Sequence, residues 1–122
     1  METTEAVEKN TALNYQCPVT ATLRVIGGKW KPIILFMLSG GTKRFNELKR
    51  YMPDVTQKML TQQLRELEAD EIIVRKVYAE VPPRVEYSLS EKGITLKPLL
   101  TQMSKWGQQH VLNTDTCTAG KS

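Results

Sequence analysis

The sequence predicts a mainly α-helical (α+β) domain with a single β-hairpin near its C-terminal end. Apolar residues recur at helical spacing through most of the chain. That period gives way to a β-branched, partly alternating pattern over residues 73–89, and glycine pairs or prolines punctuate each change. The 122 residues, 40% hydrophobic and 25% charged, suit one globular domain that buries its core without disulfides or metals. The most apolar run, residues 32–38, is far short of the ~20 residues of a transmembrane helix. The polar, acidic start Met1-Glu2-Thr3-Thr4-Glu5 does not read as a secretory signal, so a cytoplasmic protein with no membrane partner is expected. Residues 1–14 read as a flexible N-terminal arm, 15–112 as the folded domain and 113–122 as a flexible polar tail.

Each element has its own warrant. Cys17-Pro18 opens a first helix, because proline suits a first turn where its missing N–H is not needed. Val19, Leu23 and Ile26 follow at helical spacing, and Gly27-Gly28 ends the helix. A second helix over about 29–39 is apolar on most of its circumference (Trp30, Ile33, Ile34, Phe36, Met37, Leu38), as core helices are. Pro32 fits in its first turn and Gly40-Gly41 ends it. Residues 42–44 form a short extended piece. Residues 45–51 form a short helix with Phe45, Leu48 and Tyr51 inward, and 52–55 form a turn. The next helix, about 56–70, takes Asp54 or Thr56 as its cap, Asp54 and Gln57 having capping-box spacing. At 100° per residue its Leu60, Leu64 and Leu67 fall within about 60° of one another. Residues 73–79 and 85–89 are strands joined by the stiff tip Val81-Pro82-Pro83-Arg84. A last helix from Ser90 carries Leu96, Leu99, Leu100, Met103, Trp106, His110 and Val111 on its apolar side, and Pro98 kinks it or starts a new first turn.

The helices 45–51 and 56–70, joined by a four-residue turn, have helix-turn-helix dimensions. The hairpin that follows makes this a winged helix-turn-helix with a two-stranded wing, whose second helix enters the major groove of DNA. Opposite the leucine stripe lie Lys58, Gln62 and Arg65, with Thr61 on the flank and Gln57 near the N-terminal end. Lys and Arg donate to guanine and Gln bonds adenine bidentately, so these types suit base reading. Lys43, Arg44, Lys49 and Arg50 precede this helix and suit the phosphate backbone. Arg84, on a proline-stiffened tip, suits the minor groove. The charge pattern agrees: the net charge is +4, residues 42–65 hold six cations against two acids, and residues 66–71 hold four acids. Double-stranded DNA is therefore the expected partner. A winged-helix protein-interaction module that leaves DNA alone is the alternative.

Leu96, Leu100, Met103, Trp106 and Val111 along the last helix are more apolar surface than so small a domain covers. They are the expected homodimer interface. Trp30 and Trp106 otherwise read as core aromatics, His110 as interface or surface, and Cys117 as a tolerated tail residue. One histidine, two cysteines and isolated glycine pairs supply no catalytic set, metal site, phosphate loop or cofactor site, so no enzyme is expected. Cys17 is the redox-sensing candidate, because a thiol at a helix start has its pKa lowered by the helix dipole.

The residues Cys17-Pro18, Gly27-Gly28-Lys29-Trp30, Arg44-Phe45-Asn46-Glu47-Leu48, Lys58-Met59-Leu60-Thr61 and Leu64-Arg65-Glu66-Leu67-Glu68 carry a resemblance. It continues through Val81-Pro82-Pro83-Arg84-Val85-Glu86-Tyr87-Ser88-Leu89, Lys92-Gly93 and Trp106-Gly107. Over about residues 17–107 the chain resembles the HxlR-type family of bacterial winged-helix regulators, relatives of the MarR group. The resemblance implies a homodimer on a pseudo-palindromic operator, with the first-helix segment 17–26 and its Leu23 joining the dimer interface. It also implies a small-molecule or electrophile effector, since several members of that family sense electrophiles or oxidants through an N-terminal cysteine. Glu71 departs from the pattern, which has glycine there. If that position is left-handed, Glu costs on the order of 1 kcal/mol relative to Gly.

Overall fold

Leu60, Leu64 and Leu67 are each exposed by 2% or less, and the rest of the molecule is arranged around them. The computed structural model describes residues 17–112. The expected arm 1–14 and the expected tail 113–122, with Cys117, lie outside the described residues. The elements are α1 (Pro18–Ile26), α2 (Lys31–Leu38), β1 (Lys43–Arg44), α3 (Phe45–Tyr51), α4 (Gln57–Ala69), β2 (Ile73–Tyr78), β3 (Arg84–Leu89), α5 (Glu91–Ile94) and α6 (Lys97–Gly107). A single π-helical turn, Gln108–Leu112, continues α6.

The punctuation read from the sequence is where these elements break. Gly28 takes φ 96, a left-handed conformation that glycine adopts at no steric cost, and it turns the chain from α1 into α2. Pro32 sits in the first turn of α2. Ile34, Leu35 and Leu38 of α2 join Ile26, Leu48, the α4 leucines, Ile72, Ile73 and Tyr87 in one buried cluster.

The structure amends the expectations at several points. Tyr51 is exposed, whereas Met52 and Val55 of the intervening turn are buried in the core. The turn between α3 and α4 is thus anchored by its own apolar side chains rather than hung between two helices. The sheet has three strands in the order β1-β3-β2, because the extended piece 43–44 pairs antiparallel with β3, Lys43 opposite Tyr87 and Arg44 opposite Glu86. The wing is therefore a two-stranded hairpin tied at its base to the helix-turn-helix. The last helix is broken in two, and Pro98 opens the second piece. Ser90 caps α5, its hydroxyl accepting from Gly93 N–H at 2.9 Å. A Cβ on Gly93 would collide with the Ile72 carbonyl, so this close approach requires glycine.

The expected dimer interface also divides. Leu100 is 4% exposed and belongs to the protomer's own core, with Leu96 packed against that core. Helix α6 packs against α2. Leu23, Met103, Trp106 and Val111 remain exposed. Trp106 is no core aromatic: it stands 61% exposed with its ring 5.0 Å from that of His110, whereas Trp30 packs on the core.

Candidate nucleic-acid interface

Helix α4 is positioned by its cap and by its inner face. Of the two caps that the sequence offers, Thr56 serves: its Oγ1 accepts from Met59 N–H at 3.0 Å and satisfies a first-turn donor. With the leucines turned inward, Gln57, Lys58, Gln62 and Arg65 are exposed and Thr61 is half-buried. These five side chains line one shallow groove, so the structure brings together every base-reading candidate on this helix. The Thr61 hydroxyl donates to the Gln57 carbonyl at 2.8 Å, so its proton is committed and its oxygen can serve only as an acceptor.

The cationic residues around α4 are not all brought to it. Arg50 is exposed and Lys49 half-buried on α3. Lys43 and Arg44 are adjacent on β1 and so point to opposite sides of the sheet. Arg44 lines a cleft with Asn46 and the wing tip, and its backbone N–H donates to the Glu47 carboxylate at 2.7 Å. Lys43 faces a different cleft, among Phe36, Tyr51 and Lys97.

Arg84 sits differently from the free tip expected of it. It is the first residue of β3, directly opposite Tyr78, and not part of a free tip. Its guanidinium stacks 4.0 Å from the Tyr78 ring centroid, Nη2 pairs with Glu80 at 3.0 Å, and Nε is buried 3.7 Å from a Glu86 oxygen. Its charge is answered within the wing by Glu80 and Glu86. Arg75 is the wing cation that sequence reasoning left out of the site. It shares a cleft with Thr61, Arg65, Glu68 and Tyr87, beside α4. The signal was present in the alternation: Ile73 is buried, so Arg75, two residues on, faces the same side of the sheet.

Glu66 occupies the edge of the α4 face. Its Oε1 meets Lys31 Nζ at 2.6 Å and its Oε2 accepts from Gln62 Nε2 at 3.2 Å. Hydrogen bonds from Lys31 and Gln62, reinforced by the Lys31 charge, hold its carboxyl below the usual carboxylate range. Cys17 stands at the N-cap of α1, exposed. The backbone N–H of Thr20 lowers its thiol pKa most, followed by the Thr20 hydroxyl and the Val19 N–H. The two backbone N–H groups are unpaired donors of the helix start, which favour an anion.

A helix-turn-helix whose second helix offers a polar, cationic face, flanked by a β-hairpin wing, defines a winged helix-turn-helix regulator. The chain belongs to the HxlR-like helix-turn-helix family, whose pattern matches residues 25–115. It is 58% identical over 94 residues to the HTH-type transcriptional regulator YybR of Bacillus subtilis, covering 77% of this chain and 75% of YybR. Among solved structures, the redox regulator HypR in its oxidised form is 58% identical, with a TM-score of 0.74 over 77% of this chain and 97% of HypR. The reduced form of the regulator YodB from B. subtilis is 37% identical, with a TM-score of 0.68 over 82% of this chain and 99% of YodB. The chain is a transcriptional regulator of the HxlR/MarR type, and its relatives are regulators rather than enzymes. Among the described residues no helix is long and apolar enough to cross a membrane.

Proposed function

We propose that this protein is a non-enzymatic repressor or activator that binds a pseudo-palindromic operator as a homodimer in the cytoplasm, and that thiol chemistry at Cys17 controls it. The observation that carries the reading is the groove on α4, where Gln57, Lys58, Thr61, Gln62 and Arg65 converge on one exposed face. That face holds donors for guanine and an amide for adenine. Arg44, Lys49 and Arg50 on and before α3 supply phosphate contacts, and Arg75 takes the role in the wing first given to Arg84. Leu23, Met103, Trp106 and Val111 form the apolar surface that a second copy covers.

The thiol reading rests on two supports. Cys17 is exposed with a lowered pKa. HypR, similar over most of the fold, is a redox regulator. Because α1 lies at the apolar surface, an adduct at its first turn displaces one recognition helix relative to the other, whose spacing must match a DNA turn of roughly 34–36 Å. Fluorescence anisotropy with duplexes from the region upstream of the protein's own gene tests the reading. Saturable, sequence-dependent binding by a dimer is expected. Absence of DNA binding at low salt overturns it and leaves the protein-interaction module.

A further inference from the structure

Lys31 is a lysine with almost no exposure, 8%, at the start of a helix otherwise devoted to the core. Its ammonium leads to the DNA-facing side of α4, where it holds Glu66 Oε1 at 2.6 Å. Glu66 uses its other oxygen, Oε2, to accept from Gln62 Nε2 one helical turn away. The three residues form a directed chain from the buried side of the domain to a side chain in the groove. The acidic run 66–71 thus does more than end the basic stretch: its first member is tied to the body of the protein.

The chemistry of that chain has a direction. An ionised carboxylate only accepts hydrogen bonds. Glu66, a carboxylate at neutral pH and held in place by Lys31, can face only the nitrogen of the Gln62 amide and rejects its oxygen. Left free, an exposed glutamine amide turns over readily, exchanging donor and acceptor. Bound to Glu66, it is held one way round. Nε2 has two hydrogens, and adenine needs the one beside Oε1, which donates to N7 while Oε1 accepts from N6. The second hydrogen is surplus for that pairing and serves Glu66. Guanine presents two acceptors, N7 and O6, and has nothing to offer Oε1.

We propose that Lys31 and Glu66 are positioning residues for sequence readout, fixing the Gln62 amide so that its position in each half-site is read as adenine and guanine is refused. The inference rests on the DNA-binding reading of α4 and adds to it which base one side chain selects and what enforces the selection. Lys31 and Glu66 act through Gln62.

The test is selection of binding sites from a randomised duplex library, followed by anisotropy titrations on the selected site and on its single-base variants. Wild type, Gln62→Ala, Glu66→Gln and Lys31→Met are compared, with thermal melts as the fold control. Glu66→Gln keeps size and shape at a half-exposed position, but its amide accepts Gln62 either way round. In the wild type one position per half-site prefers adenine over guanine about tenfold or more, as a bidentate contact provides. That preference disappears in Gln62→Ala. It falls to about threefold or less in Glu66→Gln and Lys31→Met. Affinity of Glu66→Gln for unrelated DNA is unchanged or higher, since a negative charge leaves the DNA-facing side, whereas Lys31→Met loses a cation, weakens on all DNA and is read by its adenine-to-guanine ratio. A Glu66→Gln protein that melts like wild type and keeps the full adenine preference overturns the proposal. So does a Glu66→Gln protein that loses affinity uniformly across all sequences, which marks a merely structural role, and so does a Gln62→Ala protein with unaltered preferences. A wild type with no sequence preference at all is a different failure, that of the DNA-binding reading itself.

Discussion

The Ser90 hydroxyl donates to the carbonyl oxygen of Glu71 at 2.7 Å, across nineteen positions of sequence. The Ser90 N–H donates to the next carbonyl, that of Ile72, at 2.9 Å, and Lys92 Nζ reaches the carbonyl of Asp70 at 3.2 Å. The start of α5 therefore clamps three consecutive carbonyls where α4 turns into the wing. Inside that clamp Glu71 sits at φ 64, where L side chains are strained. The surroundings hold it there, and this sets the angle at which the wing leaves the recognition helix.

Glu71→Gly should relieve that strain. The gain is about 0.5–1 kcal/mol, the left-handed penalty less the extra chain entropy that glycine brings to the unfolded state. Glu71→Val should lose stability, because a β-branched residue tolerates positive φ least. Chemical denaturation of the three proteins at equal concentration checks this. A Gly variant less stable than wild type would mean that the Glu71 side chain contributes more than its backbone costs.

Leu100 and Trp106 lie on one helix and one apolar stripe, yet they should fail in different ways. Leu100→Ala opens a cavity in the protomer core and should cost about 2–5 kcal/mol. Trp106→Glu, combined with Leu23→Glu, changes two exposed side chains and should leave the protomer folded. Its effect should appear in sedimentation, as a monomer at concentrations where wild type is a dimer, with operator affinity lost in parallel. A double variant that remains a dimer would move the interface elsewhere.

These two residues also mark where the sequence stops being legible. The stripe over 96–111 is visible from spacing alone, because helical periodicity is local. Which members of it the protomer covers for itself depends on α6 packing against α2 and the core, and nothing local encodes that. Leu60, Leu64 and Leu67 were legible as an inner face because the whole stripe meets one core. Met52 and Val55 were not, since a turn has no period to reveal its buried side. The five groove residues of α4 follow from the opposite face of the same helix. The partners of Arg84, Tyr78 and Glu80, were not legible because they come into reach only when the hairpin forms. Lys31 and Glu66 were invisible as a pair, because two helices far apart in sequence must pack before they meet.

Arg65 and Lys49 should separate base reading from backbone affinity. Arg65 lies in both clefts that flank α4, where a guanidinium can engage guanine. Arg65→Ala should cost about 1–3 kcal/mol on the operator and relax one base position, with little change on unrelated DNA. Lys49→Ala should weaken binding to all sequences alike and flatten the dependence of log affinity on log salt by about one unit. Titrations over a range of salt concentrations on operator and unrelated duplexes measure both effects. If Arg65→Ala weakens both duplexes equally, Arg65 is a phosphate contact and the helix is docked differently.

Cys17 gives the pH-dependent prediction. The reactive form is the thiolate, and a lowered pKa shifts the midpoint of the reactivity profile to lower pH. The rate of alkylation should therefore rise with pH and level off earlier than for a free cysteine with a pKa near ~8.5. Thr20→Ala removes the hydroxyl but keeps the backbone N–H, the larger cause, so the midpoint should move up only part of the way toward that of a free thiol. The regulatory consequence is read with the operator duplex. Treatment with a quinone, which adds to the thiolate, should release wild type from DNA at neutral pH and progressively less as the pH falls below the thiol's pKa. Cys17→Ser should bind as tightly as untreated wild type and ignore the quinone at every pH. Cys117 is an internal control: Cys117→Ser should respond as wild type does. Equal responses of wild type and Cys17→Ser would remove Cys17 from the mechanism, and so would a wild-type thiol whose labelling profile matches that of a free cysteine.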